Sequence, residues 1–260
     1  MKIQFTKYQG TGNDFILIDN REGTYSNLNG SQIKKMCNRH FGIGADGLML
    51  LNTHAELDFE MKYFNADGNI STMCGNGGRC IAAFAGKLGL VSSACSFMAA
   101  DGVHDAILST NRVELKMKDV TRIQSFETYD EVDTGSPHYV HFTEMLSDWD
   151  MKKEGALIRY SPKYREEGIN VNFVEPVNEH SIRVRTYERG VEDETLSCGT
   201  GVTAAALCFI KDKTGPAEIH VATPGGELLV RCAHIEKHHF TDIWLCGPAT
   251  MVFEGSTFID

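Results

Sequence analysis

Cys74-Gly75-Asn76-Gly77-Gly78-Arg79-Cys80-Ile81-Ala82-Ala83-Phe84-Ala85 and Cys198-Gly199-Thr200-Gly201-Val202-Thr203-Ala204-Ala205-Ala206-Leu207-Cys208-Phe209 follow one plan: a cysteine, a glycine-rich turn, then an alanine-rich apolar run. They lie 124 residues apart in a chain of 260, close to half its length. The flanks repeat in the same order. Gly12-Asn13-Asp14-Phe15-Ile16-Leu17 answers Gly135-Ser136-Pro137-His138-Tyr139-Val140 at an offset of 123, and Tyr63-Phe64-Asn65 answers Thr186-Tyr187-Glu188 at the same offset. Ala100-Asp101-Gly102 answers Pro224-Gly225-Gly226 at 124, each before a second apolar run. Four blocks in one order indicate a duplicated half. Two copies of this length predict two similar lobes rather than a solenoid. The expected division is residues 1–118 with 249–260 around Cys74, and 119–248 around Cys198.

Outward from the two turns, the pattern is β-rich. Lys2–Thr6, Phe15–Ile18, Leu57–Phe64 and Arg112–Met117 alternate or run apolar in the first half; Ile182–Tyr187, Glu218–Val221, Leu228–Cys232 and Ile243–Leu245 do so in the second. Helices are expected at Gly30–Asn38, Gly77–Leu88 and Gly201–Lys211, the last two closed by Gly89 and Gly215. The two alanine-rich helices lack a polar face, so each should be buried inside a curved sheet. The polar stretch Gln124–Arg165 reads as crossover and surface turns.

Composition narrows the function. The chain is 42% hydrophobic and 23% charged, the make-up of an ordinary globule with apolar residues enough for a full core. A net charge of −10 is the wrong sign for a phosphate backbone or an anionic bilayer surface, so no nucleic-acid or membrane partner is expected. The longest apolar runs fall far short of a bilayer span, and Met1–Lys7 shows no export-signal core; the expected location is cytoplasmic. Eight cysteines without a Cys-x-x-Cys pair argue against a structural metal site, and a reducing compartment argues against disulfides. Cys95, Cys208, Cys232 and Cys246 read as buried apolar groups. Cys74 and Cys198 break that pattern.

A helix start offers backbone N–H groups and a partial positive charge. Gly-Asn-Gly and Gly-Thr-Gly clear side-chain bulk from it, so a carboxylate can approach the backbone directly. The same field favours thiolate over thiol. Two such sites facing one substrate would place a sulfur on each side of the carbon next to the carboxylate. One sulfur would take a proton and the other return one to the opposite face, inverting the centre. A thiol–disulfide exchange role is the competing use of two such thiols.

Six stretches in this order strongly resemble the diaminopimelate epimerase family: Gly12-Asn13-Asp14-Phe15, Arg39-His40-Phe41-Gly42-Ile43-Gly44-Ala45-Asp46-Gly47, Phe64-Asn65-Ala66-Asp67-Gly68, Met73-Cys74-Gly75-Asn76-Gly77, Tyr187-Glu188-Arg189-Gly190 and Ser197-Cys198-Gly199-Thr200-Gly201. The resemblance runs from about Lys7 to Glu254. It implies an α/β (α+β) fold of two pseudo-symmetric lobes, each a curved, mostly antiparallel sheet or barrel around a central helix, with the site in the cleft between them. It implies a cofactor-independent enzyme, metal-free and homodimeric, that interconverts LL- and meso-2,6-diaminopimelate for lysine and peptidoglycan synthesis.

Carried over by position, Cys74 and Cys198 are the acid/base thiols, and Gly75, Asn76, Gly199 and Thr200 supply the N–H cradle for the reacting carboxylate. Asn13, Asn65 and Asn170 match substrate-binding asparagines; Glu188 and Arg189 would meet the amine and carboxylate of the far end; His138 and Glu188 match positions that tune thiol ionisation. Two positions depart from some relatives: Gly47 stands where an amide side chain occurs, and Ser136 where an Asn occurs. The alternatives are a proline racemase-like enzyme, which leaves Arg189 without a substrate group to bind, and a non-catalytic small-anion binding protein.

Overall fold

Both glycine turns open helices. The computed structural model describes residues 1–259, and in chain order its elements are β1 (Lys2–Gly10), β2 (Asn13–Asp19), α1 (Gly30–Cys37), β3 (Gly47–Asn52), β4 (Phe59–Asn65), α2 (Gly75–Lys87), β5 (Ala94–Ala99), β6 (Gly102–Ser109), β7 (Arg112–Lys116), β8 (Ile123–Ser125), β9 (Asp130–Asp133), β10 (Pro137–Phe142), α3 (Met151–Arg159), β11 (Asn170–Asn178), β12 (Ser181–Glu188), β13 (Asp193–Thr195), α4 (Gly199–Phe209), β14 (Gly215–Thr223), β15 (Gly226–Glu236), β16 (His239–Gly247) and β17 (Thr250–Phe258). The chain divides into two compact units, Met1–Leu115 with Gly247–Asp260, and Lys116–Cys246.

The first unit is one sheet in the order β17-β1-β2-β3-β4-β5-β6-β7. Its pairings are antiparallel except β2–β3 and β4–β5. Helix α2 packs on β1, β2, β3 and β6. The second unit runs β8-β9-β10-β11-β12-β14-β15-β16, antiparallel except β10–β11 and β12–β14, with β13 as an added partner of β12. Helix α4 packs on β9, β10, β11, β12, β14 and β15. Strand for strand, the two sheets have the same order and the same alternation of parallel and antiparallel pairs. A helix that packs on many strands of one sheet must be largely apolar, with any buried polar side chain paired. Accordingly α4 is buried from Val202 through Cys208, and α2 buries Cys80, Ile81, Ala82, Phe84 and Ala85.

The structure corrects the expected elements in two places. Helices α2 and α4 begin at Gly75 and Gly199, two residues before the expected starts, so the glycines are the first helical turn and each cysteine is the N-cap. The stretch 124–165 is not only turns. It contains β9, β10 and α3, whose N-cap Asp150 accepts a hydrogen bond from the Lys153 N–H at 3.1 Å. Gly155 in mid-α3 reads as a helix breaker, yet a Cβ there would lie 2.4 Å from the Cβ of Tyr187. Close packing on β12 demands the glycine.

Candidate active site

Cys74 and Cys198 end their approach in nearly the same backbone conformation, φ −104°, ψ 133° and φ −107°, ψ 111°. Intrahelical bonding starts at Gly78 N–H to Cys74 O (2.7 Å) in α2 and at Val202 N–H to Cys198 O (2.8 Å) in α4. The N–H groups ahead of those bonds point out of the helix end beside the sulfur, the geometry of an anion cradle. Cys198 is buried and Cys74 half-buried. The Thr200 hydroxyl lies 3.5 Å from Cys198 Sγ, and Thr134 Oγ1 donates to Thr200 O at 2.9 Å, fixing the turn from the loop before β10.

None of the eight cysteines is joined in a disulfide. Burial pushes Cys37, Cys80 and Cys95 up to about 12 and Cys232 up to about 11, and holds Cys208 well above its ordinary value. These five stay protonated at neutral pH, as buried apolar groups do.

In the first unit the turn is braced by a polar network. Asn76 Nδ2 donates to Asn13 Oδ1 (2.8 Å), and Asn13 Nδ2 donates to Asp46 Oδ2 (2.7 Å). Arg39 grips both Asp14 oxygens at 2.9 and 2.7 Å and reaches Asp46 at 2.6 Å; Lys7 pairs with Asp14 at 2.8 Å. Burial works against ionised Asp14, but the Arg39 and Lys7 contacts outweigh it and bring its pKa down to about 2. Fully buried Arg79 donates to Gly75 O (3.2 Å), Asn76 Oδ1 (3.0 Å) and Thr11 Oγ1 (3.2 Å). Asn13 and Asn76 are thus brought together, whereas Asn65 sits exposed at the end of β4. Gly47, paired with Asn65, has no room for a side chain: a Cβ would meet the Tyr63 ring at 2.5 Å and Phe64 O at 2.6 Å.

In the second unit Asn170, Ser136 and Arg189 form one cluster. Asn170 Oδ1 accepts from Arg189 N–H (2.9 Å), and Asn170 Nδ2 donates to Ser136 Oγ (2.8 Å) and Pro137 O (3.1 Å). The exposed Arg189 guanidinium donates to Glu167 O (2.9 Å) and Ser136 Oγ (3.3 Å), and Glu188 ends β12 half-buried beside it. His138 is fully buried; that burial, helped by the Arg189 charge, lowers its pKa to about 3. Its Nδ1 lies 3.1 Å from Asn172 Nδ2, and Thr186 Oγ1 donates to Asn172 Oδ1 at 2.9 Å.

The sequence reading missed Arg79, Thr134, Asn172 and Thr186. Arg79 carried a signal, a charge set between the glycine turn and the apolar run of α2. Thr134 looks like an ordinary loop residue, and Asn172 and Thr186 like ordinary strand polar residues, until the strands are paired. The Arg39–Asp46 stretch was a recognisable motif whose role, bracing Asn13, appears only in three dimensions.

The sequence pattern of the family described as diaminopimelate epimerase matches residues 5–123 and 131–252. A diaminopimelate epimerase of Flavobacterium psychrophilum is 50% identical over 254 residues, covering 97% of this chain and 99% of the relative. One of Chlorobaculum tepidum is 41% identical over 258 residues, covering 95% and 98%. Among solved structures, a phenazine biosynthesis PhzF-family protein of Bacillus anthracis superimposes with a TM-score of 0.78 at 14% identity over all of both chains. A hydroxyproline epimerase of Agrobacterium vitis does so at 0.70 and 11% identity, covering 98% of this chain and 91% of the other. At such identities the structural likeness speaks for the fold alone. Among the described residues, no helix is long and apolar enough to cross a membrane.

Proposed function

The chain belongs to the diaminopimelate epimerase family, and from that premise we propose how its residues divide the work. The activity is that of the family: an isomerase acting on an amino acid, epimerising 2,6-diaminopimelate on the route to lysine and peptidoglycan precursors.

In the proposed mechanism one of Cys74 and Cys198 is ionised and the other protonated. The thiolate takes the α-proton from one face of the substrate, and the thiol delivers a proton to the other. The first turns at Gly75-Asn76 and Gly199-Thr200 hold the adjacent carboxylate. Their backbone dipoles stabilise the charge that spreads onto it as the C–H bond breaks. The α-carbon loses and regains a proton with no net change of oxidation state, so the step needs no redox cofactor. The reverse direction exchanges the roles of the two sulfurs.

At the far end, Arg189 meets the distal carboxylate and Glu188 the distal amine, a charge-matched pair for a substrate with one group of each sign. Asn170 and Ser136 hold Arg189 through its main chain and guanidinium. Ser136 therefore serves here by orienting the arginine rather than by reaching the substrate itself. Asn13 and Asn65 are the remaining amides assigned to the substrate; Asn13 is pre-oriented by Asp46 and Asn76. The reading places the enzyme in the cytoplasm, where both thiols stay reduced.

The observation that supports the paired roles most directly is the recurrence of one arrangement, an N-cap cysteine before a glycine turn, at the start of the helix enclosed by each sheet. The test is incubation with LL-diaminopimelate in D2O, without added cofactor, followed by chiral analysis and mass measurement. The expected product is meso isomer carrying deuterium at the α-carbon. Binding without wash-in would identify an anion-binding protein instead, and stoichiometric consumption of a reductant would identify a redox protein.

A further inference from the structure

The hairpin that follows each cysteine helix touches the segment leading into the cysteine, but through a different bond in each unit. Strands β5 and β6 are joined by the two-residue turn Ala100-Asp101, closed by the pair Ala99–Gly102; β14 and β15 are joined by Pro224-Gly225, closed by Thr223–Gly226. The residue after each turn has nearly the same conformation, φ +126° at Gly102 and +133° at Gly226. The offset of 124 that relates Cys74 to Cys198 also relates Asp101 to Gly225. In the second unit the Gly225 N–H donates to Leu196 O at 2.8 Å, two residues before Cys198. In the first unit the Met73 N–H, one residue before Cys74, donates to Asp101 Oδ1 at 3.2 Å. The turn holds the segment by main chain in one unit and by a carboxylate in the other.

The carboxylate has a neighbour that the second unit lacks. His104 Nε2 lies 3.3 Å from the same Asp101 Oδ1. Its ring sits 5.6 Å from that of Phe97, which stacks on Phe59 at 4.9 Å. Strand pairing makes Phe59–Phe97–His104 the counterpart of Ile182–Val221–Leu228, so the histidine stands where the other unit buries a leucine. The acid on the turn and the histidine beside it thus occur together, in the unit whose turn holds Met73 by a side chain. Met73 is also held from the helix side, because a Cβ on Gly78 in the first turn of α2 would meet its sulfur at 3.1 Å. Upstream, the Ser71 N–H donates to Tyr63 O at 3.0 Å. The four residues from Ser71 to Cys74 are therefore tied to β4, to the hairpin and to α2, and the thiol at their end takes its place from those ties.

We propose that Asp101 is a positioning residue for Cys74: its carboxylate pins the Met73 N–H and so fixes the segment that sets the thiol at the start of α2. This rests on the reading of Cys74 as an acid/base group. The second unit makes the equivalent tie between main-chain atoms, whereas the first depends on one side chain. Proton transfer needs the sulfur at a set distance and angle from the α-carbon, so freedom in this segment lowers the rate more than it weakens binding.

Two substitutions test it. Asp101→Gly removes the carboxylate and installs the residue type that already occupies the equivalent turn at Gly225, so the hairpin keeps its shape. Asp101→Asn keeps an oxygen that can accept the bond. Amide hydrogen exchange is followed by NMR at neutral pH. The Asp101 side chain is 38% exposed, so solvent competes for the bond, and Asp101→Gly should quicken exchange at Met73 by up to about tenfold. The Gly225 amide, held by the equivalent tie of the second unit, should not change. In the same variant kcat for diaminopimelate should fall by roughly tenfold and KM should change less. Asp101→Asn should restore both the exchange rate and kcat. Unchanged exchange at Met73, equal quickening at Met73 and Gly225, an unchanged kcat, or no rescue by Asp101→Asn would overturn the proposal. Full turnover by Cys74→Ala would instead refute the acid/base reading, while exchange at Met73 bears on the tie to Asp101 alone.

Discussion

A sulfur ionises where water, a helix start or a donor can stabilise its charge, and burial in apolar surroundings with none of these holds it protonated. Cys37, Cys80, Cys95, Cys208 and Cys232 lie in apolar surroundings that hold them protonated, whereas Cys74 and Cys198 stand at helix N-caps. The sequence reading set Cys74 and Cys198 apart by the glycine turn after each and took Cys95, Cys208, Cys232 and Cys246 as buried; the structure buries those four, and Cys37 and Cys80 with them. The supports were not legible. Asp14 sits between Lys7 and Arg39, and their contacts set its pKa at about 2 against the ordinary 3.8. A carboxyl whose folded pKa is depressed stabilises the fold above its unfolded pKa and loses that contribution as pH falls toward the folded value. Asp14→Asn should therefore lower stability by about 1–2 kcal/mol at neutral pH, the figure reduced for the solvent reaching Arg39. The gap between variant and parent should close between pH 4 and 2 in denaturant titrations. A gap that does not change with pH would assign Asp14 a packing role only. Arg189, held by Ser136 and Asn170, is the residue proposed for the distal carboxylate. Arg189→Ala should reduce kcat/KM for diaminopimelate by roughly 10- to 100-fold, as the loss of one charge-assisted contact does. Iodoacetamide labelling of Cys198 should continue at an unchanged rate. A loss confined to stability would reassign Arg189 to the loop that it braces.

At the scale of the element, the glycines of the first helical turn have separate uses. Gly75 and Gly199 open the turn; Gly77 and Gly201 let it sit against the sheet. A methyl at Gly77 would press on the end of the Met49 side chain, which can swing aside. A methyl at Gly201 would press on Asn172 Oδ1, held by hydrogen bonds from both sides of its amide. Gly201→Ala should thus cost about 1–3 kcal/mol, the range for overpacking a filled site, and Gly77→Ala distinctly less. Thermal unfolding of the two variants checks the order, and the reverse order would mean that Asn172 yields more readily than Met49. The expected helix starts fell two residues late because glycine weighs against helix in any propensity reading. Here the need for bare backbone beside the sulfur overrides propensity. Helix α3 was hidden for a related reason: Gly155 interrupts its pattern, and only the Tyr187 ring packed against it explains why.

Across the whole molecule, duplication was the legible feature and pairing the hidden one. Short blocks at offsets of 123 and 124 marked two copies, and the structure gives the copies one strand order with parallel pairs at the same two places. Which strands lie side by side could not be read from periodicity, since the β2–β3 and β10–β11 pairings join segments separated by a helix or a long connection. The offset alone also hid how far the copies had diverged, because Phe15, Met49 and Tyr63 become equivalent to His138, Asn172 and Thr186 only once the register is known.

The central claim is that both thiols act on one carbon, and it is tested most directly by assaying Cys74→Ala and Cys198→Ala with LL-diaminopimelate in D2O. Each variant should stay folded, with an unaltered circular dichroism spectrum, and should lose epimerisation by several orders of magnitude, since removing one acid/base group leaves a single-sided site. Near-normal conversion to the meso isomer by either variant would contradict the two-thiol mechanism.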